Sequence, residues 1–577
     1  MAQYNFRLNV TAAQFPFLSY QGGATVITPN QDTYYIKPNA FSGTESDKNI
    51  GVPQIMFCEN VMPTSFGVQS VNFINSTNPF DGGVLVADQL FYVISPVDGQ
   101  RYLTNFDRVS GRLYIYSHEQ KHWQMMFTGP AHDFPYATVA IVQGRTFVYL
   151  RGMTGLWEFL GYNTFTGFFN GVDITPLGIS DLSSFSGIVG ANNYLILYTP
   201  YALYYTIPDS IPGNIPDFTP SLGPTGAATE TPSVLRGLIE VCFPVADGFV
   251  MFTSTSIIAA YYSGNIRFPW SYRELENSAP IVSLDSVAVD RENYARYVNT
   301  TGGILKLAKS SATPMYPEAT EFFSTGRYEY YDWPTHSILF RDTTEPVNIG
   351  VAYVGGRWLV LSYGERAENI FTHAIIWDEH LKRWGKVAVH HVRAIEFFGV
   401  APPGEEITND PKTYQDLLDA QWTYQYLIDA GLPYSIFGGA NFPGNPTLGL
   451  QYKSLGFVTD NGIVQIIDFT VKPQEDPISV AMFGKIQLTR NHRFKITDVW
   501  SENFNLGQPT NYTNLNIIAT KDMRNTLKIV PGWVRSAENQ MVHHQFHGCE
   551  GANHILRYEG DFILSSIIVR GTPTGVM

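Results

Sequence analysis

The sequence predicts a mainly β protein, and three observations predict it. Aromatic residues reach 14% of the chain, with 34 Tyr and 38 Phe, and 50 Gly punctuate it; such a composition suits short strands joined by tight turns. Charged residues are only 15%, against about 25% in an average globular chain, and long helices need more Glu and Lys than that. The hydrophobic residues, 44% of the total, gather in runs of strand length bounded by Gly, Asn or Pro. At 577 residues the chain can bury one large core or several smaller ones.

Taken in order, residues 1–35 read as an N-terminal arm, and 36–400 as a β-propeller-like array. The runs GGVLVADQLFYVIS (82–95), GRLYIYS (111–117), TVAIVQGRTFVYLRG (138–152) and NYLILYTPYALYYTI (193–207) open the array. GFVMFTSTSIIAAYY (248–262), GRWLVLSYG (356–364) and HAIIWDEHLKRWGKVAVHHV (373–392) continue it, hairpin after hairpin. A weak repeat runs through them. Tyr116-Ser117 is followed by Trp123, Tyr162-Asn163 by Phe169, and Trp377-Asp378 by Trp384. In each case the polar residue can make an Asx- or Ser-type turn while the aromatics flank the hairpin. The first two copies stand 46 positions apart, the size of one four-stranded propeller blade. The alternative is an array of unrelated β-sandwiches.

Two segments interrupt the strands. Residues 207–232 carry Pro at 208, 212, 216, 220, 224 and 232, which excludes helix or central strand and predicts a long projecting loop. It is either a linker or an ordered loop packed on another subunit or into an opening. A small helical insertion spans 401–445, with its helix in NDPKTYQDLLDAQWTYQYLIDAG (409–431). Asp410 can cap that helix, Pro411 suits its first turn and Gly431 can end it. Tyr414, Leu417, Leu418, Gln421, Tyr424 and Ile428 share one face, for the core or for a neighbouring subunit. Residues 446–577 alternate apolar and polar positions with longer spacers. They read as a C-terminal β-sandwich-like region, with completion of the propeller as the alternative.

A net charge of −14 argues against a protein that grips nucleic acid, which needs clustered Lys and Arg. It suits a surface past which DNA slides. Cys58, Cys242 and Cys549 lie far apart with no CxxC, so no disulfide framework is expected. The opening MAQYNFRLNV resembles no secretory signal, and no apolar stretch of membrane-spanning length follows, so synthesis in a cytoplasm and no membrane span are expected.

No P-loop, GxGxxG after a strand, HExxH, GxSxG, EF-hand or repeated Asp-box pattern occurs, so no catalytic residue and no cofactor is expected. Three weaker constellations remain. Glu318, Glu321, Glu329 and Asp332 could supply a glycosidase pair if their separation allowed it, although surface carboxylates are the simpler reading. His543, His547 and Cys549 would share a face of a strand near His554, a plausible zinc set with spacings of no standard motif, or else a solvated edge. Tyr261, Tyr262, Trp270 and Tyr272 could stack on sugars, but packed hairpin aromatics explain them as well.

Several stretches resemble tail proteins of short-tailed phages, the nozzle or tail tubular family. They are NFRLNVTAAQFPFLSYQGGATVITPNQDTYY (5–35), RFPWSYRELENSAPIVSLDSVAVD (267–290), SSATPMYPEATEFFSTGRYEYY (310–331), NHRFKITDVWSENF and RYEGDFILSSIIVRGTPTG. The resemblance spreads along most of the chain and is one of texture. It implies a propeller-based subunit of a homohexameric ring in a virion tail, docked on an adaptor ring, with tail fibres, spikes or a needle as further neighbours. Double-stranded DNA would be held back by the ring and pass through it at ejection without specific binding. The resemblance brings no catalytic residues. The alternatives are a tail protein that binds or cleaves host-surface glycans, and a cellular β-propeller scaffold.

Overall fold

The computed structural model describes residues 4–9, 34–35, 50–51, 55–64, 67–75, 87–97, 99–117, 122–128, 137–163, 166, 168–206, 215–220, 228–245, 247–265, 268–276, 279–281, 286–289, 295–298, 304–307, 312–315, 327–332, 334–335, 337–342, 349–364, 370–398, 453–468, 479–487, 492–503, 513–520, 527–538 and 541–576. Among these residues the named elements are all strands. The helical insertion expected at 401–445, with its helix at 409–431, lies outside them.

Seven four-stranded antiparallel units follow one another, called blades 1 to 7 here. Blade 1 begins at Gln89–Ile94 and ends at His122–Thr128; blade 2 runs from Ala137–Val142 to Phe168–Ile174; blade 3 from Gly187–Ala191 to Ala228–Glu230. Blade 4 runs from Ile239–Val245 to Trp270–Glu274, blade 5 from Val287–Val289 to Ala312–Met315, and blade 6 from Gly350–Val354 to Arg383–His391. Blade 7 takes Arg393–Phe398, Lys453–Val458 and Val464–Asp468, then borrows Asn72–Asn75 from before blade 1 as its fourth strand.

A strand between two neighbouring sheets is covered on both faces, so its sequence reads as a continuous apolar run. Tyr194–Tyr198 and Trp358–Tyr363 are buried at every position. Tight turns set the register. Asn192 and Asn193 both have positive φ, as do Gln143 and Gly144, the geometry of a two-residue hairpin whose twist matches its strands.

The ring closes through its cores. Leu113 of blade 1 packs with Val148 and Phe159 of blade 2, Tyr149 of blade 2 with Leu195 of blade 3, and Ile196 of blade 3 with Phe249 of blade 4. Phe252 joins Leu305 of blade 5, Ile304 joins Leu361 of blade 6, and Val360 joins Phe457 of blade 7. Ile466 of blade 7 then meets Tyr116 and Trp123 of blade 1. The Trp123 indole donates to the Gly462 carbonyl at 3.0 Å across this last seam. This is a closed seven-bladed β-propeller.

The aromatic repeat falls on the same hairpin each time, that of a blade's third and fourth strands. Tyr116 pairs with Trp123, Tyr162 with Phe169 and Trp377 with Trp384, with ring centroids 5.4, 5.1 and 4.9 Å apart. Tyr262 and Trp270 pair in the same place in blade 4.

The Pro-rich segment 207–232 is not wholly a projecting loop where it is described. Phe218 is buried in the core between blades 2 and 3, Asp217 bridges to Leu177, and Ala228–Glu230 is the edge strand of blade 3. Its prolines exclude only a central strand position, and an edge strand needs donors on one side.

A β-sandwich stands beside the propeller. The blade 6 sheet continues without a break through Val61–Thr64, Gly67–Ser70, Ile563–Val576, His492–Asn503, Met541–Gly551 and Trp533–Glu538, making a twelve-stranded sheet with Tyr4–Asn9 and Ile50–Gly51. Against it lies a sheet of Ile55–Glu59, Val480–Gln487, Asn553–Gly560, Thr513–Thr520 and Leu527–Pro531, with Tyr34–Tyr35 along 486–487. Phe483, Phe494, Leu515, Phe546, Leu556 and Phe562 fill the space between.

Candidate functional site

The three constellations singled out in the sequence do not form sites among the described residues. Glu318 and Glu321 lie outside those residues. Glu329 is on the strand Arg327–Asp332, and Asp332 accepts hydrogen bonds from the Thr335 backbone N and hydroxyl, as a turn residue does.

The His/Cys set is split by a β-bulge. Cys549 faces Ile496, but Asp498 faces Gln545, so residues 546–548 bulge with Gly548 at φ 74°. The alternation therefore changes phase between His543 and Cys549. His543 points out, 2.8 Å from Asp498 and stacked on Trp500. His547 is exposed, while Cys549 sits in the sandwich core. Burial pushes the Cys549 thiol up to about 12, which disfavours the thiolate a metal needs. His554 is buried on the opposite sheet. Among the described residues no three His, Cys, Asp or Glu side chains are grouped to hold a metal.

Trp270 is packed between blades 3 and 4 with Tyr194 and Phe249, the exposed Tyr262 ring lies against Tyr194 and Trp270, and the Tyr272 hydroxyl donates to Glu230 at 2.9 Å. These rings are hairpin packing. Burial raises the Tyr272 phenol far above its ordinary range.

What the structure does assemble is a buried polar junction between propeller and sandwich. The two units share a sheet there, since Lys386 of blade 6 is in register with Val61. The side chain of Asn60, in the left-handed region at φ 53°, accepts from the Ala388 backbone N at 2.8 Å. Beside it Glu59 is almost fully buried. Its Oε2 accepts from the Tyr331 backbone N at 3.1 Å and lies 3.6 Å from His373 Nε2 and 3.9 Å from Lys386 Nζ. The Lys386 ammonium also lies 4.5 Å from the centre of the Phe57 ring, a cation–π contact.

Tyr331 carries the network onward. Its hydroxyl donates to Glu559 Oε1, which lies 3.0 Å from Arg557 Nε, and Asn516 donates to Glu559 Oε2 at 3.3 Å. The junction holds two carboxylates, a lysine, an arginine and a histidine, drawn from blade 6 and from two strands of one sandwich sheet, with Tyr331 of the hairpin at 327–342 between them. Burial next to Glu59 pushes the Cys58 thiol up to about 12, against the pull of Lys386. Buried charges of this kind are matched and hydrogen-bonded, an arrangement that fixes geometry. The sequence marks these residues only faintly. The usable signal was a charge at an inward strand position, as in WGKVAV for Lys386, and opposite charges two positions apart in RYEG for Arg557 and Glu559.

The first strands of blades 1 to 4 lie against one another in succession, as do those of blades 5 to 7, and they form the inner ring of the propeller. Glu396 on that ring accepts from the Gly355 backbone N at 3.2 Å through its side chain and from the Tyr92 hydroxyl at 2.5 Å through its carbonyl. Burial raises the pKa of the Glu240 carboxyl, on the same ring of strands. Among the described residues no helix is long and apolar enough to cross a membrane.

No protein-family model and no curated protein matches the sequence. Among solved structures, virginiamycin B lyase from Staphylococcus aureus aligns at 9% identity over 55% of this chain and 89% of its own, with a TM-score of 0.31. The WD40 repeats of RRP9 align at 9% identity over 56% and 89%, at 0.30, and AztD from Citrobacter koseri at 11% over 57% and 92%, at 0.32. Likenesses this weak carry no argument about activity. The sheet order and the seven bridging cores stand on their own, and by them the chain is a β-propeller protein with a sandwich built onto one blade.

Proposed function

We propose that this chain is a non-catalytic structural subunit of a short phage tail, a nozzle ring that continues the DNA channel. The observation that carries the reading is the twelve-stranded sheet that runs from blade 6 into the sandwich. With the buried junction beside it, propeller and sandwich form one stiff unit, as a subunit of a pressurised conduit requires. The acidic balance of −14 favours free passage of DNA over binding. Six copies would form the ring, with an adaptor ring above it and fibres, spikes or a needle as further neighbours. The likeness to nozzle proteins in the stretches quoted above supports the virion setting.

Electron microscopy of the purified full chain tests this reading. Class averages with six-fold symmetry and a central opening are expected. A cellular propeller scaffold is the second reading, favoured by closure of the propeller within a single chain, which needs no further copies. Single particles with one propeller each would select it. Release of reducing sugar from host polysaccharide, lost on Asp332→Ala, would instead establish a glycan-cleaving tail protein.

A further inference from the structure

Two exposed apolar patches of opposite electrostatic character lie at opposite ends of the molecule. The first is the far edge of the twelve-stranded sheet. Trp533–Glu538 is its last strand, six strand spacings from blade 6, or about 30 Å at the usual spacing. Trp533 is 67% exposed there and Val534 is exposed beside it, with Ile529 exposed on Leu527–Pro531, the edge strand of the facing sheet. Lys528, Arg535 and His547 surround them at the surface, and residues 527–535 contain no carboxylate.

The second patch is the outer rim of blades 2 and 3. In a ring of seven, these blades lie across the axis from blade 6, which carries the sandwich. On the rim strand Phe168–Ile174, Phe168 is 55% exposed and Val172 is exposed too. Leu177 and Ile215 continue the apolar surface, joined through the bridge between Leu177 and Asp217. Asp173 and Asp181 are exposed beside them. From Gly152 to Leu235 the sequence has six carboxylates and no Lys, Arg or His.

From this charge complementarity and opposed placement, we propose that the sandwich edge of one copy docks on the blade 2–3 rim of the next. Trp533 would seat among Phe168, Val172 and Leu177, with Lys528 and Arg535 facing Asp173 and Asp181. An exposed Trp framed by charges is the composition of an interface anchor. A contact between two different surfaces is head-to-tail, and such contacts close into rings when the rotation allows. The inference rests on the ring reading above and adds the surfaces that build the ring.

The test is mass measurement of the full chain at fixed micromolar concentration across a salt series. Trp533→Ala, the pair Lys528→Glu with Arg535→Glu, and the pair Asp173→Lys with Asp181→Asn should each weaken assembly about tenfold or more. Asn at 181 keeps the acceptor that holds the Ser183 backbone N at 2.8 Å. Both charge pairs combined in one chain should recover assembly. Because all these positions are exposed, melting temperatures should match the parent; if a charge variant does not fold, Trp533→Ala carries the test alone. Rings that persist in every variant would overturn the docking surfaces and leave the ring reading standing. A parent chain that stays monomeric would overturn the ring reading and this inference with it.

Discussion

Lys386 and Glu59 show how single residues hold the two units together. Both are almost completely buried, and they are charge partners at 3.9 Å, with His373 also beside Glu59. Replacing Lys386 by Met keeps the stem but leaves Glu59 charged and poorly matched. A loss of about 3–5 kcal/mol is expected, the usual cost of breaking a buried pair, read as a lower urea midpoint. The double variant Glu59→Gln with Lys386→Met should lose less than the two single losses summed. His391 gives a second residue-scale prediction. Its ring lies 2.8 Å from the Val389 carbonyl and 2.7 Å from the Ser362 hydroxyl, and burial pulls its pKa down to about 4. The unfolded chain binds a proton at that ring below about pH 6.5, where the folded chain does not. Stability from this group is therefore complete above pH 6.5 and falls as pH drops toward 4, by at most ~1.4 kcal/mol per unit. Asp561, pushed up to about 6 by burial, acts in the opposite sense: its contribution is complete below its unfolded pKa and is lost as pH rises through 6. Urea titrations at pH 7 and 4.5 should show a smaller acid loss in His391→Gln than in the parent; an equal loss in both would refute the assignment.

At the scale of elements, the hairpin repeat was legible because its aromatics are cross-strand partners. Tyr116 and Trp123 face each other in register, so the spacing is fixed by hairpin length. The Tyr262–Trp270 hairpin escaped the pattern because its loop is one residue longer. The proposed zinc face failed for a physical reason, a bulge at 546–548 that period-two reading cannot anticipate. Nor could composition reveal that Asn72–Asn75 completes blade 7, since strand pairing between distant segments leaves no local trace. Trp123 tests that seam. Trp123→Phe removes the donor to Gly462 together with part of the buried ring and should cost about 1–3 kcal/mol. Trp123→Ala empties the seam between blades 7 and 1 and should cost about 3–5 kcal/mol, both read by thermal unfolding. Gly67 tests the passage of the sheet from blade 6 into the sandwich. With φ at 152°, a Cβ there would come 1.8 Å from the Leu564 carbonyl oxygen, and backbone cannot move aside cheaply. Gly67→Ala should lower the melting temperature by several degrees, whereas Gly99→Ala, which meets no atom within 4 Å, should be limited to its local backbone cost.

For the whole molecule, the sequence disclosed a mainly β chain with propeller and sandwich textures, because strand runs, turn residues and aromatic hairpins are local signals. The buried junction was not legible, since Glu59, Tyr331, Lys386 and Glu559 meet only after four distant segments fold together. Charge belongs to this scale as well. A chain at −14 should show no measurable binding of duplex DNA at physiological salt, checked by fluorescence anisotropy with a labelled duplex. Whether the chain builds a ring is read by native mass measurement of the purified protein. A dominant species of six times 64.6 kDa is expected; a single species of 64.6 kDa at every concentration up to the micromolar range would rule the ring out.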